Sequence, residues 1–183
     1  MRHVGESNVV LIPSGLQARL VEAVLDRAPR KSFGYLISDR AANEPTDFIM
    51  FEDNIRNDQR WLPRFEAYGE YFVRHPNAGF VATPQESWRV QRQLLASGGF
   101  EVALFHSHHR HPGSFSEIDY DMHISRFDNL WHLIISLRNP KMPQLRAYTV
   151  SRNGVCELEV REVEAPATQN GRNDRGVIHE HSL

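Results

Sequence analysis

The densest chemistry in the chain lies in residues 105–124, FHSHHRHPGSFSEIDYDMHI, which carry five of the ten histidines. His106 and His108 are two apart, and side chains alternate sides along a strand, so a strand here presents both imidazoles on one face. Asp119 follows His108 after ten intervening residues, with Ser116 three positions before it. Ser116 is placed to cap a helix, which puts Asp119 in the first turn, pointing back towards the strand end. Two imidazoles and one carboxylate leave a fourth tetrahedral position for water, as in catalytic zinc sites. His109 and His111 read as loop surface. His123, one helical turn past Asp119, reads as a residue behind the ligands or on the surface. His179 and His181 read as part of a solvated terminus. Cys156, with no basic partner nearby in sequence, reads as a small core residue and not a nucleophile.

Several elements must hold these residues. Residues 101–106 (EVALFH) form the strand that delivers the histidines. Before it, Thr83-Pro84-Gln85-Glu86 is a capping box with proline at the first helical position, and its helix runs to about Ala96, stopped by Gly98-Gly99. Earlier, residues 8–12 (NVVLI) make a short strand. Pro13 and Ser14 open a helix with Leu16, Leu20, Val21, Val24 and Leu25 at helical spacing, ending near Pro29. Residues 32–38 (SFGYLIS) and 47–52 (DFIMFE) pair as a hairpin. Residues 54–78 are rich in charge and in rings (Trp61, Phe65, Tyr68, Tyr71, Phe72). They read as a long loop with a short helix packed on the core, or as an insertion that touches substrate near the metal. Residues 79–82 make a further short strand. After the helix capped by Ser116 come strands over 131–137, 144–150 and 155–163, the last two joined through Arg152-Asn153-Gly154. This order implies an α/β fold, a mixed sheet carrying helices.

A chain of 183 residues with 40% apolar and 24% charged residues suits one soluble domain, placed over 1–163, with a polar, disordered tail over 164–183. A net charge of -2 gives no reason to expect nucleic acid or an anionic membrane as partner. One cysteine excludes an intramolecular disulfide and a Cys-built zinc site, and fits the reducing cytoplasm. No signal peptide and no apolar run of about 18 residues are visible, so no membrane span is expected.

The pattern H-x-H, ten residues, D, with S-x-x-D inside it, resembles the JAMM (MPN+) metalloprotease motif position by position. The resemblance extends over roughly residues 8–162. It implies a cytidine-deaminase-like α/β fold, a mixed β-sheet flanked by helices. It also implies one zinc ion held by His106, His108, Asp119 and a water, with Ser116 supporting the oxyanion. The activity implied is a zinc-dependent isopeptidase or peptidase that cleaves after the C-terminus of a ubiquitin-like protein, its partner. Two positions depart from the pattern. The family's proline after the second histidine is His109 here, and the first proline is Pro112. The family's general-base Glu, in E-x-x-G-x-L, is Lys31 in Lys31-Ser32-Phe33-Gly34-Tyr35-Leu36. A lysine accepts a proton only as the free amine, a form that burial beside a divalent cation favours. Glu52 and Glu101, on neighbouring strands, are the other candidate bases. The alternative is a zinc-binding MPN-type domain without turnover, acting as a binding or scaffolding module. A zinc nucleobase deaminase would need H-x-E and P-C-x-x-C, which are absent.

Overall fold

The computed structural model describes residues 8–39, 44–127 and 129–164; the tail expected beyond Glu164, with His179 and His181, lies outside them. The alternation along β4 (Phe100–His108) divides the core in two. Ala103 and Phe105 turn to one face, where they meet Leu16, Leu20 and Val24 of α1 (Ser14–Arg27). Leu104 turns to the other, against Val90 and Leu94 of α4 (Pro84–Ser97). His106 and His108 follow Leu104 onto that second face, so the period of two that fills the core also aims both imidazoles the same way. Each helical Leu or Val buried this way contributes roughly 1.5–3 kcal/mol.

The sheet has seven strands in the order β1-β7-β6-β5-β4-β2-β3. β4 lies between β2 (Phe33–Ser38), antiparallel to it, and β5 (Trp131–Ser136), parallel to it. β3 (Asp47–Met50) completes the expected hairpin with β2 and forms one edge. β6 (Gln144–Ser151) and β7 (Gly154–Val163) form the second hairpin, and β1 (Val9–Pro13) pairs parallel with β7. The mixed α/β sheet flanked by helices is thus present as expected. At Gly34 in β2 a Cβ would stand 2.0 Å from the Ile49 carbonyl oxygen, so only glycine admits β3 this closely.

Both expected helix signals operate. Thr83 Oγ1 accepts the Glu86 N–H at 3.1 Å, and Gly98, at φ +67°, ends α4 in the left-handed region. The Glu86 carboxylate also accepts the backbone N–H groups of Glu52 and Asp53, pinning the exit of β3 to the start of α4.

Three expectations fail. Residues 79–82 are not a strand: Gly79, at φ +77°, turns the chain, and Val81 bonds to Asn54 and Ile55 of a loop, with no ladder. Residues 54–78 contain two short helices, α2 (Leu62–Glu66) and α3 (Glu70–Arg74), not one. Cys156 is exposed, on the first part of β7, where four successive residues are exposed although the strand pairs with β6.

Candidate metal centre

The C-terminal end of β4 and the N-terminus of α5 (Glu117–Arg126) meet at one point. His106 Nε2 and His108 Nε2 are 2.9 Å apart, and Asp119 Oδ2 lies 3.4 Å from the first and 3.5 Å from the second. A tetrahedral zinc with bonds of about 2.0–2.1 Å has ligand atoms roughly 3.3 Å apart, so this triangle has the right edge length. His106 and Asp119 are fully buried, and Asp119 Oδ1 has no hydrogen-bond partner although water does not reach it. An unpartnered buried carboxylate oxygen costs folding energy unless a cation meets it. Burial, spacing and donor chemistry together fit a divalent ion of zinc type.

Each candidate ligand is secured from behind. Ser116 Oγ accepts the Asp119 N–H at 3.0 Å as the helix cap and gives its own proton to Asp119 Oδ2 at 2.6 Å. His108 Nδ1 donates to the Pro112 carbonyl at 2.8 Å, which leaves Nε2 to offer its lone pair. His106 Nδ1 lies 2.6 Å from His132 Nε2 on β5, and His132 Nδ1 lies 2.9 Å from His123 Nδ1 on α5. The loop between the ligands is tied down as well: Ser136 Oγ donates to the His111 carbonyl and Tyr148 to the Gly113 carbonyl. His109, standing where the motif has proline, reaches the Arg30 carbonyl with Nε2 at 2.9 Å, anchoring the loop beside Lys31.

Electrostatics keep the centre in a ligating state. Burial pushes His106 down to about 3, so the imidazole is neutral at physiological pH. Burial would raise Asp119, but His106, Lys31 and the imidazole hydrogen bonds outweigh it and hold the carboxyl well below its usual range. Lys31 Nζ stands 4.0 Å from Asp119 Oδ1 and donates to the Asn77 carbonyl at 3.0 Å. Burial lowers its pKa; Asp119 opposes that and Arg56 adds to it.

The centre opens into a cleft of about 240 Å³ lined by Tyr71, His75, Asn77, His108, His111 and Ser116 among others. Asp119 is the one carboxylate among its lining residues. Glu52 and Glu101 are not at this cleft: Glu52 pairs with Arg27 at 3.0 Å, and Glu101 accepts from Gln91. Trp61 lines a different cleft, with Arg64, Tyr68, Met122 and Arg126, so only the 71–78 part of the aromatic segment borders the metal centre.

A sequence model described as prokaryotic homologs of the JAB domain matches residues 13–151. The chain belongs to this family. No curated protein matches the chain. A solution structure from Desulfitobacterium hafniense superposes with a TM-score of 0.65 at 20% identity, covering 87% of this chain and 97% of that one. Another, from Salinibacter ruber, gives 0.53 at 17% identity over 94% and 99% of the two chains. A JAB1/MPN domain protein from Archaeoglobus fulgidus gives 0.45 at 19% identity, over 84% and 100%. At these identities the first two likenesses speak for the fold alone. No helix among the described residues of this JAB-domain chain is long and apolar enough to cross a membrane.

His106, His108, Ser116 and Lys31 thus gather around Asp119, beside the cleft. His123 is buried behind the ligands, not on the surface. His132 was not picked out by sequence. Its signal is a lone imidazole inside the apolar run WHLIIS, on the same strand face as Ile134, where a residue without polar atoms is expected.

Proposed function

We propose that this JAB-domain protein is a zinc-dependent isopeptidase or peptidase that cleaves after the extended C-terminus of a ubiquitin-like protein in the cytoplasm. The observation that supports this most is the triangle of His106, His108 and Asp119 at the floor of an open cleft, with no hydrogen bond to the buried Asp119 Oδ1. A zinc ion held there would supply Lewis acidity to a scissile carbonyl and lower the pKa of water to about 7. The Ser116 hydroxyl, 2.6 Å from Asp119 Oδ2, stands beside the place where negative charge develops and can turn its proton to an oxyanion. Lys31, buried and shifted towards the free amine, is the proton acceptor at the position of the missing glutamate. The edge strand β3, whose Met50 end pairs with Gly34 three residues from Lys31, offers a ladder on which an extended tail can add.

A second reading rests on one residue. Lys31 as ammonium beside Asp119 would hold no proton-accepting power, and the protein would be a zinc-bearing binding or scaffolding module. Zinc content and cleavage of a ubiquitin-like C-terminal fusion, compared among the native chain, Lys31→Glu and His106→Ala, separate the two. Native cleavage with about one zinc, both lost in His106→Ala, carries the enzyme. Zinc in the native chain but cleavage only in Lys31→Glu carries the binding module.

A further inference from the structure

Three fully buried histidines stand in file behind the metal centre: His106 on β4, His132 on β5 and His123 on α5. His106 Nδ1 to His132 Nε2 is 2.6 Å and His132 Nδ1 to His123 Nδ1 is 2.9 Å. The alternation that aims His106 at the cleft also places His132 beside it, since β5 runs parallel to β4 and both residues lie on the face opposite Phe105 and Leu133. Phe80 and Phe115 close the file with their rings, at 5.3 Å from His106 and 4.8 Å from His132.

An imidazole carries its single proton on one nitrogen, so a run of hydrogen-bonded imidazoles has a direction. His106 must offer a bare Nε2 to a metal, because Nε2 is the atom that faces His108 and Asp119. Its proton is then on Nδ1 and is donated to His132 Nε2. That makes His132 Nε2 an acceptor, puts the His132 proton on Nδ1, and directs it to His123 Nδ1. The next proton in line belongs on His123 Nε2. Ligating histidines ordinarily donate to a carboxylate, a backbone carbonyl or water, as His108 does to Pro112. His106 has an imidazole instead, itself oriented by a second imidazole.

We infer that His132, held in turn by His123, is a positioning residue that fixes the tautomer and ring orientation of His106 and so sets the affinity of the centre for its metal. This rests on the metal reading of the site. It assigns no proton transfer to either residue.

The test is zinc affinity by chelator competition on the full chain, with nitrogen-15 NMR of the histidine rings in the zinc-loaded native protein. His132→Phe keeps the ring volume and removes the acceptor; zinc affinity should fall about 10- to 100-fold. His132→Gln returns an acceptor oxygen and should recover most of that loss, which a purely packing role would not predict. His123→Phe, one bond further out, should lose less than His132→Phe. The NMR needs no variant: loaded His106 and His132 should both carry their proton on Nδ1. A His132 proton on Nε2, or His132→Phe binding zinc as tightly as the native chain, overturns the inference while leaving the zinc hydrolase intact. A native chain that takes up no zinc overturns both.

Discussion

At one corner of the cleft, β4 and α5 bring three ligand atoms within hydrogen-bond-like distances of one another, and each ligand has a partner behind it: Pro112 for His108, His132 for His106, Ser116 for Asp119. At the other corner, where β2 begins, a single lysine stands in place of a carboxylate and is satisfied by the Asn77 carbonyl. The first corner is multiply determined, each of its three side chains having its own support. The second depends on the protonation state of one amine. The metal binding and the turnover proposed for this cleft would thus rest on different corners, and the two can be tested one at a time.

The largest effect belongs to the ligand corner. His106→Ala removes one of three ligands and should abolish stoichiometric zinc binding, as read by metal analysis after dialysis. Asp119→Asn should do nearly the same, since it deletes the only negative charge among the ligands. Native zinc content in either variant would mean that the ion sits elsewhere. Next comes the base corner. Lys31→Ala should keep the zinc and lower cleavage of a ubiquitin-like fusion by about 10²- to 10⁴-fold, the range of a well-placed general base. A rate equal to native would show that the amine is not the proton acceptor.

A third expected effect concerns the histidine file and the stability of the metal-free chain. Burial pushes His106 down to about 3 and His132 well below its ordinary value. In the unfolded chain both take up a proton near pH 6.5. Between those limits the unfolded state binds more protons at these two rings, so their contribution to stability should be flat above about pH 7 and fall as the pH drops below 6.5. The slope should approach roughly 1.4 kcal/mol per pH unit for each imidazole. Urea unfolding at pH 7, 6 and 5 measures it. A midpoint indifferent to pH over that range would mean that the two rings are charged in the fold or reached by water.

The ligand corner was legible in the sequence because local rules generate it. A strand period of two aligns His106 with His108, and a serine cap places Asp119 in the first turn of α5. The hairpins and helices 14–27 and 84–97 were legible for the same reason. What escaped depends on neighbours distant in the chain. His132 meets His106 across 26 residues, through a parallel pairing that no local pattern announces. Residues 79–82 have the apolar content of a strand but find a loop as partner, and Cys156, though paired with Thr149 of β6, lies on an exposed stretch of β7. Glu52 and Glu101 were plausible bases by strand adjacency, and their side chains turn out to be engaged away from the cleft.

The smallest effect on function should come from Trp61, although it is the largest ring of the aromatic segment. Its indole lies under the guanidiniums of Arg60, Arg64 and Arg126 at 5.6, 5.6 and 5.1 Å and packs with the cluster of Phe65, Val81 and Ile118. Each such cation–π contact at an exposed site contributes about 0.5–1 kcal/mol. Trp61→Ala should therefore lower the unfolding midpoint. Tyr71 is different: it lines the metal cleft, stacks on His75 at 4.3 Å and accepts the Glu117 N–H at 3.1 Å, at the start of the helix that carries Asp119. Tyr71→Ala should raise the KM for a ubiquitin-like fusion. Trp61→Ala should leave KM within about twofold of native, the range of a substitution away from the site. Measuring both constants and both midpoints decides the matter. If KM rises in Trp61→Ala and not in Tyr71→Ala, substrate approaches over the arginine-rimmed cleft and not past His75, and the route to the ligand corner has to be redrawn.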